Sequence, residues 1–248
     1  MSAKDTRHDE EAIEDFFNRH LNVYDLIVRN DYMAHAGIHQ ALREDLSARK
    51  RPFSVIDLGC GDASQLAGTL DGLPVQDYTG VDLASVALEE ARKNMGKVTD
   101  NISFFAMDFV SFLDFAGCDS ADVIVAGFAV HHLNVEDKRR LFHLCVRKLR
   151  EGGVLYYFDV FRRQGETREQ YFEAYFSYID NTWLKLASET TEQTKGHILN
   201  CDHPEAFSTI ATLAAEAGFT IPDNPLYQDD LKFHRLYCFT LPNMRRAG

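Results

Sequence analysis

The segment whose residues are best suited to binding a ligand follows an apolar run at 53–56 and reads Asp57-Leu58-Gly59-Cys60-Gly61. Glycine accepts positive φ angles and lacks a Cβ, so the backbone can approach a ligand closely there. Leu66 and Leu70 share one helical face just beyond, which predicts a helix whose free N–H groups and dipole point at that ligand. The segment therefore predicts a nucleotide-type site, in which Asp57 suits a cationic ligand atom.

A glycine turn alone does not identify the ligand. The dinucleotide fingerprint G-x-G-x-x-G needs a third glycine, and Ser64 occupies that position. An NAD-dependent dehydrogenase is therefore an alternative with weak support. Asp82 follows a second apolar run about 20 residues beyond the glycines, the spacing at which an acid accepts hydrogen bonds from both ribose hydroxyls.

Four later segments continue the pattern in order along the chain: Val81-Asp82-Leu83, Met107-Asp108-Phe109, Ala121-Asp122-Val123-Ile124-Val125 and Leu149-Arg150-Glu151-Gly152-Gly153-Val154-Leu155. Together with the glycine turn they resemble the motifs of class I S-adenosylmethionine-dependent methyltransferases of the small-molecule type. The resemblance covers about residues 50–160. It departs at Ala63, where many members carry a third glycine. Because alanine is small, we expect the turn to persist.

The resemblance implies S-adenosylmethionine as cofactor and methyl transfer by in-line displacement, in which the protein aligns the acceptor and removes water. Asp57 would face the cationic amine of the methionine portion, Asp82 the ribose and Asp108 the adenine amine. The implied cofactor-binding residues in and after the strands are Asp57, Gly59, Cys60, Gly61, Asp82, Leu83, Asp108, Phe109, Gly127 and Phe128.

Two further cofactor candidates, Tyr24 and Arg29, lie before the first strand in a mixed aromatic and polar stretch that also holds Tyr32 and His35. In the family that the motifs resemble, helices in this position often cover the cofactor mouth. We therefore predict that Tyr24, Arg29, Tyr32 or His35 reaches the cofactor or the substrate. The alternative, in which Tyr24 packs and Arg29 is solvated, stays open.

His131 and His132 follow the predicted fourth strand and are the candidates for a catalytic general base, with Asp159 and Tyr157 as further ones. Packing or hydrogen bonding is the alternative for both histidines. Segment 126–132 lacks proline, unlike the Asn/Asp-Pro-Pro-Tyr-like motif that nucleic-acid and protein amide methyltransferases often carry there. This difference favours a small-molecule acceptor. The spacing of the other histidines matches no zinc motif, so no metal is predicted.

The composition limits the class of protein. The 248 residues carry a net charge of −12, with 45% hydrophobic and 26% charged residues, which suits one soluble α/β domain and disfavours a nucleic-acid backbone as main partner. Five scattered cysteines without a C-x-x-C pair suit a reducing compartment. With no membrane span or signal peptide in sight, we expect a cytoplasmic protein. A homodimer, a tRNA- or protein-modifying methyltransferase and a non-catalytic cofactor-binding protein stay open.

The elements that must position these residues are those of an α/β fold. Apolar runs predict strands at about 53–58, 78–82, 102–107, 122–127 and 153–159, alternating with helices. Right-handed crossovers place such strands in a parallel sheet whose carboxyl ends share one edge. Closing strands are predicted at 219–221 and 233–241. We expect a Rossmann-like seven-stranded mixed sheet with helices on both faces, N-terminal helices and a helical cap insertion after strand 5.

We treat 1–248 as a single methyltransferase domain with an N-terminal helical lid at 11–50, a cofactor-binding core at 52–161, a helical cap insertion at 162–203, and a C-terminal helix and closing strands at 204–241. One aromatic helix is expected at 169–186 and another from Pro204 to Ala217, capped by Gly218. The cap aromatics would roof an acceptor pocket, with a core stripe or a dimer face as the alternative. The basic residues of helix 135–150 are expected to form a solvated face.

Overall fold

The computed structural model describes residues 23–115, 117 and 120–242, so the helical prediction for 11–22 lies outside the described residues. The strands are β1 (Phe53–Leu58), β2 (Val75–Asp82), β3 (Ile102–Ala106), β4 (Ala121–Gly127), β5 (Leu149–Arg162), β6 (Glu205–Ala206), β7 (Tyr227–Gln228) and β8 (His234–Thr240). The helices are α1 (23–29 within the described part), α2 (His35–Leu46), α3 (Ser64–Leu70), α4 (Ser85–Met95), α5 (Phe109–Phe115), α6 (Val135–Lys148), α7 (Arg168–Thr182), α8 (Ser188–Cys201) and α9 (Phe207–Ala217). None of the helices in these ranges has the length and apolar character needed to cross a bilayer.

The sheet has the strand order β3-β2-β1-β4-β5-β8-β7, with the two-residue β6 paired to β5 off this path. Strands β1 to β5 run parallel, and β8 runs antiparallel to β5. Every residue of β1 is buried, as expected for a parallel strand with helices on both faces. The chain order reverses between β1 and β4, which is where ligands bind in such sheets. The predicted Rossmann-like mixed α/β fold is confirmed.

Two apolar layers cover the sheet, and alternate residues of β1 serve each of them. Val55 packs in a layer with α2, α3 and α4, whereas Ile56 packs in a layer with α5, α6 and α9. A third apolar cluster joins α7 and α8 to Ile27 and Tyr32 near the N-terminal helices. This third cluster lies beyond β5 and supplies the aromatic rings discussed below.

Several predicted elements differ in the structure. The insertion holds two helices, α7 and α8, because α7 ends at Thr182 and the weakly amphipathic α8 follows. Residues 219–221 form no strand; Thr220 makes one isolated bridge, and β7 lies further on. Helix α9 starts at Phe207, because the residues after Pro204 pair with the end of β5 as β6. Gly218 ends α9 in a left-handed conformation, as predicted.

Two lysines of α6 contradict the prediction of a solvated basic face. Lys138 is buried, and its Nζ donates hydrogen bonds to the carbonyls of Leu133 and His203, the latter at 2.7 Å. Lys148 is also buried and donates to the Gly117 carbonyl. Burial lowers the pKa of Lys138 to about 8. These lysines fasten α6 to neighbouring loops, because their long stems allow a buried ammonium to reach backbone carbonyls.

Candidate cofactor and acceptor site

The glycine turn after β1 has the backbone that its sequence predicts. Gly59 has φ 71° and Gly61 has φ 50°, both in the left-handed region. A Cβ added at Gly59 would also lie 2.5 Å from the Cβ of Ala129, so that position needs glycine on two counts. Ala63 adopts φ 54° before α3. The turn therefore persists with alanine at this position, as expected.

Asp57 ends its strand as a buried carboxylate. Its Oδ2 accepts a hydrogen bond of 2.7 Å from the hydroxyl of Tyr78. Burial raises the pKa of Asp57 to about 7; the Tyr78 bond opposes this rise, and the charge of Asp82 adds to it. A cationic ligand atom beside Asp57 would favour the ionised carboxylate.

Asp82 bridges the loops that follow β1 and β2. Its Oδ2 accepts the backbone N–H of Gly61 at 2.7 Å, and its Oδ1 accepts that of Ala84 at 2.8 Å. Burial raises the pKa of Asp82, although these backbone bonds lower it. Cys60 lies beside this carboxylate, and burial raises the pKa of its thiol well above the ordinary value. Cys60 is therefore a small buried thiol within the turn, and half-buried Leu83 follows Asp82.

Asp108 stands at the end of β3, next to Asp82. Its Oδ1 accepts the backbone N–H of Ser111 at 2.7 Å, and Phe109 begins α5 and packs against the apolar core. The backbone N–H of Met107 donates to the carbonyl of Asp82 at 3.1 Å. Since β3, β2 and β1 are neighbours in the sheet, the acids at their carboxyl ends share one edge.

Gly127 and Phe128 form the end of β4. A Cβ at Gly127 would overlap the ring of Phe158, so only glycine fits there. Phe128 is buried with φ 48°, which is a strained conformation for a bulky residue, and its N–H donates to the carbonyl of Phe158 at 2.9 Å. The Phe128 ring lies 4.8 Å from the ring of His35 and 6.1 Å from that of His234.

Tyr24 and Arg29 have different surroundings. Tyr24 meets His35 edge-on at 6.0 Å, and the pKa of its hydroxyl is raised by burial and by three nearby carboxylates, which belong to Asp62, Asp82 and Asp57. The charges of the acidic edge therefore act on Tyr24, and its contact with a cofactor or substrate stays a prediction. Arg29 has a 74% exposed side chain and pairs with Asp25 of its own helix at 2.8 Å. The structure does not join Arg29 to the other candidates.

His131 is enclosed by two carboxylates. Its Nδ1 lies 2.5 Å from Oδ1 of Asp159, and its Nε2 lies 3.8 Å from Oδ2 of Asp202. Burial lowers the pKa of His131, but the two carboxylates outweigh burial and raise it to about 9. The imidazole is therefore protonated at neutral pH, which argues against its acting as a general base in this state.

His132 shares the second carboxylate, since its Nδ1 lies 3.2 Å from Oδ1 of Asp202. Ligand-type atoms of His131, His132 and Asp202 all lie within 4.8 Å of one another, a set that could hold a divalent metal. The cluster already balances carboxylate charge with the charge of His131. No sequence motif pointed to Asp202, because this residue follows α8 and meets the histidines only through tertiary packing.

A second histidine–carboxylate pair lies on the other side of Phe128. The fully buried His234 has its Nδ1 2.8 Å from Oδ2 of Asp229 and its Nε2 3.1 Å from the hydroxyl of Tyr175. No motif or spacing in the sequence links His234 to Asp229, so this pair was not predicted. They come from β8, the loop before it and α7.

The site and fold can now be compared with known proteins. A family described as a methyltransferase domain matches residues 55–153, which span the glycine turn, the acids and β1 to β4. Residues 55–153 are a class I methyltransferase domain. The cofactor of this domain is S-adenosylmethionine. A comparison with curated protein sequences gives no match.

Solved structures share the fold of the methyltransferase domain. An O-methyltransferase family protein from Burkholderia thailandensis is 18% identical with a TM-score of 0.62, over 94% of this chain and 60% of that one. The mitomycin 7-O-methyltransferase MmcR is 17% identical with a TM-score of 0.61, over 97% and 61%. This chain thus spans less than two thirds of the length of either protein.

A third structure matches over nearly its whole length. It is the complex of the Haloferax volcanii Trm112 methyltransferase activator with its proposed methyltransferase. The identity is 16% and the TM-score is 0.60, over 93% of this chain and 98% of that one. At such identities the likeness shows the fold alone.

Proposed function

We propose that the protein transfers the methyl group of S-adenosylmethionine to a small-molecule acceptor. The observation that carries this proposal is the row of acids Asp57, Asp82 and Asp108 at the carboxyl ends of three neighbouring strands, beside a glycine turn with positive φ angles. Asp57 would hold the ammonium group of the cofactor, Asp82 the ribose hydroxyls and Asp108 the adenine amine. Bound S-adenosylmethionine supplies an activated methyl group on a sulfonium.

The local chemistry of this edge fits that cofactor. A Cβ added at Gly61 would meet nothing within 4 Å, so the turn leaves space beside its backbone. A buried Asp57 whose pKa is about 7 is well suited to a ligand ammonium, which would stabilise its ionised form. The hydroxyl end of Tyr24 adds a polar group among the carboxylates.

A small acceptor is supported by the surroundings of Phe128. The rings of His35 and His234 lie near its ring, and Tyr175 of α7 lies next to His234, so aromatic and imidazole side chains are gathered where an acceptor would meet the cofactor. The net charge of −12 disfavours a nucleic-acid backbone. Two of the structural neighbours are described as O-methyltransferases.

Because the methyl group is already activated, the chain's own residues need mainly to align the acceptor and exclude water. We assign His131 a positioning role, since its ring and backbone N–H are both bound by Asp159. His132 is kept as the candidate general base. The pH–rate profile of His132→Ala tests this role, and an unchanged profile with full turnover would contradict it.

Calorimetry with S-adenosylhomocysteine and with NAD tests the cofactor assignment. We expect S-adenosylhomocysteine to bind and NAD not to bind; the reverse result would favour a dehydrogenase. Transfer of labelled methyl groups to a panel of small phenols, amines and thiols then tests the activity. Cofactor binding without turnover on any acceptor would favour a non-catalytic cofactor-binding protein.

A second candidate function is methylation of tRNA or protein with the help of an activator. One observation favours it: this chain aligns with 98% of the methyltransferase chain that is bound to Trm112. Labelling of total tRNA and cell protein, with and without Trm112, tests this candidate. Labelled macromolecule in place of small product would replace the first proposal. The cytoplasmic location and the homodimer stay predictions.

A further inference from the structure

One buried histidine of the proposed site lies beside Phe128. His35 is the first residue of α2 and is only 2% exposed. Neither of its ring nitrogens has a hydrogen-bond partner in the described part of the chain. Buried polar groups are nearly always hydrogen-bonded, so an unpaired imidazole in a native fold calls for a partner outside the polypeptide.

The surroundings of His35 indicate where such a partner would lie. Its ring is 4.8 Å from the ring of Phe128, which follows β4 and is one of the cofactor-binding residues that the resemblance implies. Its ring is 6.0 Å from that of Tyr24, and nearby carboxylates raise the pKa of the Tyr24 hydroxyl. His35 therefore lies beside Tyr24 and Phe128, two of the candidate cofactor-binding residues.

The chain before α2 holds this histidine in a defined position. Asp31 and Ala34 both have positive φ, 54° and 58°, and Oδ1 of Asp31 accepts the N–H of Ala36 at 2.8 Å. One turn further along the helix, His39 stacks on His35 at 6.2 Å and is itself bonded to Oγ1 of Thr69 at 2.8 Å. Strained residues of this kind persist only where the surrounding structure holds them.

The two histidines that flank Phe128 differ in bonding capacity. Both nitrogens of His234 are engaged, by Asp229 and by Tyr175. Burial, aided by the neighbouring His39 and His234, lowers the pKa of His35 to about 3. A neutral imidazole offers one donor and one acceptor.

We infer that His35 binds the polar group of the acceptor, and that this acceptor is a neutral, planar, hydroxyl-bearing compound. The inference rests on the proposed methyltransferase function. A hydroxyl group both donates and accepts, so it matches a neutral imidazole, whereas a charged group would be costly in these apolar surroundings. The rings of Phe128 and Tyr24 beside His35 suit a flat molecule.

The test uses two fluorescent probes that differ by one hydroxyl, 2-naphthol and naphthalene, with the protein saturated by S-adenosylhomocysteine. We expect the wild type to bind 2-naphthol about 10-fold more tightly than naphthalene, in line with one buried hydrogen bond. In His35→Phe this ratio should fall to about 1 while naphthalene affinity is retained. His39→Phe is the matched control, because it removes a neighbouring histidine of the same helix, and it should keep the ratio.

Thermal unfolding gives a readout that separates binding from structure. His35→Phe replaces an unpaired buried polar ring by an apolar one, so the midpoint should stay or rise. His39→Phe loses the bond to Thr69, so its midpoint should fall. A lower midpoint for His35→Phe together with an unchanged probe ratio would mean that His35 is structural and would overturn the inference.

Calorimetry with S-adenosylhomocysteine on all three proteins keeps the two proposals separate. If the wild type does not bind this compound, the proposed function itself fails. If it binds but neither probe does, or the probe ratio survives in His35→Phe, only the inference fails. If His35→Phe lowers the affinity for S-adenosylhomocysteine while the probe ratio persists, His35 contacts the cofactor and the inference is likewise overturned.

Discussion

The Nδ1 atom of His131 lies 2.5 Å from Oδ1 of Asp159, and Oδ2 of the same carboxylate accepts the backbone N–H of His131 at 2.9 Å. Asp159 lies within β5 and is fully buried. One carboxylate thus holds both the ring and the backbone of a residue that follows β4. The turn that carries Phe128 is thereby fastened to the neighbouring strand.

Replacing Asp159 by Asn should destabilise the fold, because it leaves a buried histidine without its main counter-charge. We expect a loss of about 3 kcal/mol in the free energy of unfolding, measured with urea. Glu90→Gln is the control, since Glu90 pairs with Lys93 on the exposed face of α4 and its loss should have no measurable effect. Equal stability of Asp159→Asn and the wild type would contradict the structural role of the pair.

The same pair predicts how stability changes with pH. The pKa of His131 is raised from 6.5 to about 9 in the folded protein, so the folded state holds this proton more tightly than the unfolded chain. Its contribution is fully present below about pH 6.5 and is lost as the pH rises through about 9. In urea titrations at several pH values, the free energy of unfolding should fall more steeply with rising pH for the wild type than for Asp159→Asn. If the stability of the two proteins changes with pH in the same way, the raised pKa of His131 is ruled out.

Cofactor affinity should depend on the ionisation of Asp57. Its pKa of about 7 means that protonation competes with binding of the ligand ammonium below neutral pH. The affinity for S-adenosylhomocysteine, measured by calorimetry, should fall toward tenfold per pH unit below this value. Asp57→Asn should bind weakly and with little pH dependence over the same range. A wild-type affinity that is flat between pH 6 and 8 would exclude this role of Asp57.

Asp82→Asn should lower the affinity for S-adenosylhomocysteine by at least about tenfold, because a charged acceptor for the ribose hydroxyls is lost. The change also disturbs the bonds from Gly61 and Ala84 that join the two loops. Asp77→Asn provides the control on the same strand, since Asp77 accepts from Asn101 and lies away from the carboxyl end of β2. If both variants bind equally well, Asp82 has no part in the cofactor site.

Gly127→Ala should destabilise the protein, because the new Cβ would overlap the ring of Phe158. Overpacking of this kind typically costs about 1–3 kcal/mol. Gly196→Ala makes the same chemical change within α8, where an added Cβ meets nothing within 4 Å, and it should stabilise by roughly 0.5–1 kcal/mol. The two variants should therefore change the free energy of unfolding in urea in opposite directions. A destabilising Gly196→Ala would contradict the packing of α8.

Local sequence patterns are sufficient to predict the sheet and the row of acids. The apolar run and glycines at 53–61 fix a buried strand and its turn, and Asp57, Asp82 and Asp108 are each local to a strand end. Parallel strands bring such ends together whatever the loops between them do, so local patterns were sufficient.

The tertiary structure alone decided which polar side chains are paired and which are not. Asp159 lies 28 residues from His131, and their bond depends on the pairing of β4 with β5 and on the packing above it. The burial of Lys138 and the unpaired nitrogens of His35 likewise depend on what covers them. Residue spacing reports the period of one element, whereas burial and hydrogen-bond partners are set by contacts between elements that are distant in the chain.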